Sequence, residues 1–401
     1  MVISDRIGAL IESNIITNLS EPSKIKDLSW LKPGKASFHW WNGDIMPDTT
    51  FEPGVNFNFN KYYIDFCSRN RIEYHTIIGY RGVAWYQNDG FEYQPGPNTD
   101  ITKPRPGLDI QQICDYAKSK GVGIRFWVHW KALYPKLDTA FALFERWGIK
   151  GMMVDFMDRD DQEMVKIQEE YCKKLLCIIL RSSFMVPTNL QASVVRILTR
   201  STREGTLNYE NNKGDNLITP DDDINIPFTR LLAGPTDYHL GGFRAMPQSK
   251  FKQLYTRPHM LATRCHMLAM YVILENHLSM VCDYPEAYEG QDGFDFIREV
   301  PTVWDQTVVP GAETGQWVSI ARRKGRDWYI GIITNSKARA VTIPLDFLPA
   351  GKYHAEIYKE APDAVDNPNK LIKEARDVTS SDKLVADLPA GGGQVMKLKL
   401  K

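Results

Sequence analysis

Several familiar chemistries are excluded by what this chain lacks. None of its 401 residues falls in a stretch approaching the ~20 apolar residues that a membrane helix needs. The opening MVISDRIGALIESNI has neither the basic n-region nor the apolar h-region of a signal peptide, so the chain as written carries no export address. No GxGxxG or GxxxxGK[ST] opens a helical stretch, and a dinucleotide or P-loop site therefore has no support. The six cysteines (Cys67, Cys114, Cys172, Cys177, Cys265, Cys282) show no CxxC or other metal-ligand spacing and read as mostly buried thiols. Net charge is missing too: 49 Lys and Arg balance 49 Asp and Glu, which gives no electrostatic case for nucleic acid or an anionic membrane. A small, uncharged partner fits that balance.

What is present is a rhythm. From Lys35 onward, strand-like runs alternate with helical ones: SFHWW at 37–41, YHTIIGY at 74–80, GIRFWVHW at 123–130 and GMMVDF at 151–156, each followed by a helical pattern. Such βα units build either a doubly wound sheet or a closed barrel. Polar and aromatic residues recur where the strands end, at His39 and Trp40, Tyr80 and Arg81, His129 and Lys131, and Asp155. A (β/α)8 barrel gathers those ends into one bowl, so the expected fold class is α/β, a TIM barrel. The ten tryptophans suit stacking on sugar rings, although tryptophan is equally ordinary core material.

The stretch GIKGMMVDFMDRDDQE at 148–163 is the most telling. Its apolar run Met152 to Val154 reads as a buried parallel strand. Asp158, Asp160 and Asp161 precede the helical pattern DQEMVKIQEEYCKKLL and have a plain explanation as caps and first-turn acids. Asp155 precedes that turn, at the carboxyl end of a strand, where a barrel keeps its catalytic groups.

The rhythm breaks after 172 and resumes with STREGTLNYENN at 201–212, PFTRLLAGPTDYHLGGF at 227–243, an apolar helix over Leu261–His277 and LSMVCDYPEAY at 278–288. AGPTDYHLGG lacks the glycine pattern of a barrel phosphate loop, which argues against an aldolase or isomerase. From about Gly315 short alternating strands with turn signals mark a small all-β domain. The expected division is a linker or remnant over 1–34, a catalytic barrel over 35–300 and a C-terminal β-domain over 301–401.

KPGKASFHWWNGD, IRFWVHWKAL, MVDFMDRDDQ and TREGTLNYEN, in this order, resemble the catalytic barrel of glycoside hydrolase family 97, a family of bacterial α-galactosidases and α-glucosidases. The resemblance implies an N-terminal β-sandwich, a (β/α)8 barrel and a C-terminal β-domain, of which the first is absent here apart from the opening thirty or so residues. It also implies a retaining α-glycosidase acting on an oligosaccharide or small α-glycoside, α-galactoside before α-glucoside, exported or periplasmic in a bacterium at full length. Carried over residue by residue, Asp155 matches the nucleophile and Glu210 the acid/base; Glu204, with Glu210, matches the calcium site. Trp40, His129, Lys131 and Asn208 match substrate-binding positions. The chemistry agrees, since retaining hydrolysis uses a carboxylate pair about 5–5.5 Å apart and calcium takes oxygen ligands. Oligomeric state stays open.

Residues 173–200, where a fifth strand belongs, do not match that family. Joining each codon's third base to the next codon's first two lets Ser183–Ala192 encode FHGSYKPTG and Ala192–Thr199 continue from that last glycine as LRRTYPN, the strings the family carries here. The stretch therefore reads as translated out of frame between two compensating shifts. The HG in the shifted frame favours the retaining branch. The alternative reading is a catalytically impaired, vestigial carbohydrate-binding barrel, because Pro187 would remove a donor from a central strand.

Overall fold

A computed structural model describes residues 2–19, 29, 31–47, 50–159, 161–179, 204–214 and 217–401. The chain divides into two compact units, Ile16–Arg203 in one and Met1–Ile15 with Glu204–Lys401 in the other.

In the first unit, strands Gly34–Ser37, Tyr74–Ile77, Gly123–His129 and Gly151–Asp155 lie side by side in chain order and all run parallel. The register sets Tyr74 opposite Gly123 and His129 opposite Asp155. The outer helices are Phe57–Asn70, Ile110–Ser119, Leu137–Trp147 and Gln162–Ile179. Local chemistry sets their ends. Asn56 and Asp109 cap the first two by accepting from the amides of Phe59 and Gln112, each cap contributing about 1 kcal/mol. Gly148, in the left-handed region, ends the third. Together the strands form a parallel half-barrel sheet.

The first strand departs from expectation. SFHWW was expected as strand over 37–41, but the strand ends at Ser37 and a turn follows. His39 Nδ1 contacts Asp44 Oδ1 at 2.6 Å, the Asp44 amide donates to the His39 carbonyl, and Gly43 and Asp44 both take positive φ. Extended backbone cannot make those contacts. Of the suspected out-of-frame stretch, 173–179 continues the helix Gln162–Ile179, and 180–200 lies outside the described residues.

The second unit holds a six-stranded antiparallel sheet in the order 306–313, 317–324, 327–334, 393–400, 353–360, 371–378, and a two-stranded sheet of 339–344 with 383–388. Strands Gln306–Glu313, Leu371–Val378 and Lys383–Leu388 carry too many charged or small residues to stand out by alternation. Trp328, Ile330, Ile343, Ile357, Met396 and Leu398 belong to the core of these sheets. The helix expected over 261–277 is shorter, Arg264–Ile273, and all ten of its residues are buried. Thr263 caps it by accepting from the His266 amide. It lies against strands 327–334 and 393–400 at two glycines: a Cβ on Gly393 would sit 2.4 Å from His266 Cα, and one on Gly331 2.7 Å from the Ala269 carbonyl oxygen. Burying its Met267, Leu268, Val272 and Ile273 contributes roughly 1.5–3 kcal/mol each. No described helix is long and apolar enough to cross a membrane. Cys67, Cys114, Cys172, Cys265 and Cys282 are buried free thiols, as expected.

Candidate active site

In the half-barrel unit, Asp155 is the last residue of its strand, and two donors hold its carboxylate. The Trp127 indole N–H donates to Oδ2 at 2.7 Å, and the Phe156 amide donates to Oδ1 at 2.6 Å. Phe156 takes φ 62°, in the left-handed region, so the chain leaves its extended course directly after Asp155. Part of Asp155 stays accessible. Desolvation by the surrounding protein nevertheless dominates and raises its pKa, against the pull of the two N–H donors.

His129 faces Asp155 across the ladder and stacks on the Phe156 ring at 4.9 Å. Its Nδ1 accepts from the Lys131 amide at 3.0 Å, which leaves Nε2 to donate to Gln94 Oε1 at 3.2 Å. Burial first, and Lys131 second, push its pKa down to about 4, so the ring is neutral near pH 7. The Lys131 side chain is exposed, with Nζ 5.7 Å from the centre of the Trp130 ring. Trp40 is half-buried, with its ring 6.4 Å from that of Phe38. Asp161 is a helix cap, accepting from the amides of Glu163 and Met164; Asp158 is exposed, and Asp160 lies outside the described residues.

The second unit holds the other predicted residues. Glu204, Glu210 and His239 each bring one ligand atom within 4.8 Å of the others'. Asn208 is their hub, 1% exposed. Its Nδ2 donates to Glu204 Oε1 at 2.9 Å, and its Oδ1 accepts from the Glu210 amide and from His239 Nδ1, both at 2.8 Å. Both acceptor positions of that oxygen are thereby committed. Burial and then Lys213 push the His239 pKa down to about 3, so its ring is neutral and adds no positive charge to repel a cation. The donor set fits a hard cation in its two carboxylates, which suit calcium; the imidazole here holds the amide.

His239 and Trp127 were missed in the sequence. The only signal for His239 was PTDYHLGG, read for glycines rather than for its histidine; nothing in a strand sequence marks Trp127 as a donor to its neighbour.

The sequence matches the family described as Glycoside hydrolase 97 over residues 40–176, and the one described as Glycosyl-hydrolase 97 C-terminal, oligomerisation, over 303–399. It is 34% identical over 396 residues to a retaining alpha-galactosidase of Bacteroides thetaiotaomicron, an alignment covering 97% of this chain and 58% of that protein. To a probable retaining alpha-galactosidase of Streptomyces bingchenggensis it is 26% identical, over 98% of this chain and 56% of the relative. A glycoside hydrolase family 97 enzyme from Pseudoalteromonas sp. strain K8, solved in complex with acarbose, superposes with a TM-score of 0.86 at 28% identity, over 99% of this chain and 65% of that one. A beta-arabinopyranosidase structure shares the fold at TM-score 0.74 and 18% identity, over 99% of this chain and 60% of the other. The chain thus spans less than two thirds of the length of these relatives. With family matches on the parallel strands and on the C-terminal sheet alike, this chain belongs to glycoside hydrolase family 97.

Proposed function

We propose that the chain is the catalytic part of a retaining, exo-acting α-glycosidase that prefers terminal α-galactosides to α-glucosides. The observation that carries this is the 34% identity to a retaining alpha-galactosidase along nearly the whole chain. The fold proposed for residues 35–300 is a (β/α)8 barrel, to which the four parallel strands contribute half. In this reading the ionised Asp155 carboxylate attacks the anomeric carbon while Glu210 gives its proton to the departing glycosidic oxygen. Glu210, now a carboxylate, then takes a proton from water; that water attacks the same carbon and frees Asp155, so the sugar leaves with its original configuration. Trp127 and Phe156 hold the nucleophile in one orientation. Glu204 and Glu210 would hold calcium, which when bound supplies fixed positive charge beside the acid/base. Asn208 fixes both glutamates, and His129 and Lys131 border the strand end. Export to the periplasm or beyond, and assembly through the C-terminal sheets, complete the proposal.

Two p-nitrophenyl substrates, the α-galactoside and the α-glucoside, test the specificity. Asp155→Ala should lower turnover by on the order of a thousandfold or more, as loss of a nucleophile does, and added azide should restore part of the rate while forming the β-glycosyl azide. Near-normal turnover by the variant would remove Asp155 from the mechanism.

One observation favours a second reading, a barrel that binds sugar but has lost turnover: the Glycoside hydrolase 97 match stops at residue 176, at the edge of the stretch that reads as out of frame.

A further inference from the structure

Three acids, Asp221, Asp222 and Asp223, share the first turn of the short helix Pro220–Asn225. Acids there are ordinarily accounted for by the helix dipole. Asp222 meets that account, closing a capping box with Thr219, and Asp221 accepts from the Ser336 hydroxyl. Asp223 points the other way. It is 0% exposed, and its carboxylate is engaged on every side: Oδ2 accepts from the Tyr209 hydroxyl at 2.5 Å, Oδ1 accepts from the Tyr238 hydroxyl, and His266 Nε2 lies 3.3 Å from Oδ2. A charge taken this far from water costs several kcal/mol unless hydrogen bonds replace the solvent.

The two phenols are not scattered. Tyr209 immediately precedes Glu210, and Tyr238 immediately precedes His239, so the carboxylate ties together the chain on both sides of the cluster formed by Glu204, Glu210 and His239. The rings meet edge to face at 5.3 Å, so both are fixed by packing as well as by the acid. Residues 209–213 form a short 3-10 helix and 237–244 have no helix or strand, so side chains share in fixing these segments: Asn208 accepts from the Glu210 amide and from His239, Asp283 accepts from the Phe243 amide, and Asp223 holds the two tyrosines.

We propose that Asp223 is a positioning residue for the cation cluster: by gripping Tyr209 and Tyr238 from behind, it sets the spacing of Glu210 and His239 about Asn208 and so sets the affinity for calcium. The inference rests on reading Glu204 and Glu210 as calcium ligands. Supporting groups of this kind typically alter metal affinity 10- to 100-fold when removed.

The test is calorimetric titration of the full chain with calcium chloride, using wild type, Glu204→Gln, Asp223→Asn, the pair Tyr209→Phe with Tyr238→Phe, and Ile343→Ala. Ile343 lies in the core of the C-terminal sheets, so its loss lowers stability without touching the cluster. Asp223→Asn and the double phenylalanine variant should each weaken calcium about tenfold or more, with near-ultraviolet circular dichroism retained, while Ile343→Ala binds as wild type does. If Asp223→Asn does not fold, the phenylalanine pair decides. Binding within twofold of wild type by the folded variants, with Glu204→Gln weakened, would overturn the role of Asp223 alone, as would an equal loss in Ile343→Ala. No binding by wild type, or an unaltered Glu204→Gln, would instead overturn the calcium site on which the inference rests.

Discussion

In the proposed mechanism the attacking carboxylate must be charged, and burial opposes that charge at Asp155. The Trp127 N–H acts in the other direction, because a hydrogen bond to the ionised form lowers the pKa. Removing it in Trp127→Phe should therefore raise the Asp155 pKa further, so that the acid limb of the pH–rate profile moves to higher pH. An unmoved limb would show that Trp127 does not tune Asp155. Asp155 was legible in the sequence because an acid directly after an apolar strand has few structural explanations. Its donor was not, since Trp127 lies twenty-eight positions earlier and meets it only through strand register. The resemblance in TLNYEN marks Asn208 as a substrate-binding position; its burial and its hydrogen bonds with Glu204, Thr206, Glu210 and His239 are what composition and spacing do not reveal.

At the scale of elements, Glu360 joins the end of strand Tyr353–Glu360 to the start of helix Arg264–Ile273 and to strand Gly393–Leu400. Its Oε1 accepts from the Thr263 hydroxyl at 2.5 Å and from the Gly393 amide at 2.8 Å. Desolvation raises its pKa to about 7, despite those two bonds and nearby His266. The folded value lies above the unfolded one, so the folded state holds the proton more tightly; stability is greatest below the unfolded pKa and falls as pH rises from about 4.5 to about 7. Glu360→Gln keeps an oxygen acceptor and has no proton to lose. It should gain on wild type as pH rises, reaching an advantage of roughly 2–3 kcal/mol at about pH 8. Urea melts at about pH 5 and about pH 8 measure this, and a gap independent of pH would contradict it. The four βα units were legible because period and caps agree, whereas the shortened first strand was not: the aromatic run that suggests a strand is bent by a contact between His39 and Asp44.

For the whole molecule, the boundary of the family match at 176 and the frame reading of 173–200 predict single-base changes in the coding DNA near codons 172–175 and 200–202. Resequencing that returns the present frame throughout would end that explanation. A repaired chain should melt more cooperatively, since a proline-free strand can complete the hydrogen-bond ladder of a closed barrel. The seam between helix Arg264–Ile273 and the C-terminal sheet has a different consequence, for inheritance. The sheet is moulded to the helix at Gly331 and Gly393, where any side chain would collide with helix backbone. A recombination joint near residue 301 would give the helix a sheet shaped for another helix. An exchanged sheet would have to bring glycine at both positions, or leave a ten-residue apolar helix without its cover. Lineages should therefore pass on helix Arg264–Ile273 and the C-terminal sheets as one heritable piece, and chimaeras joined upstream of Thr263 should express where those joined at 301 do not.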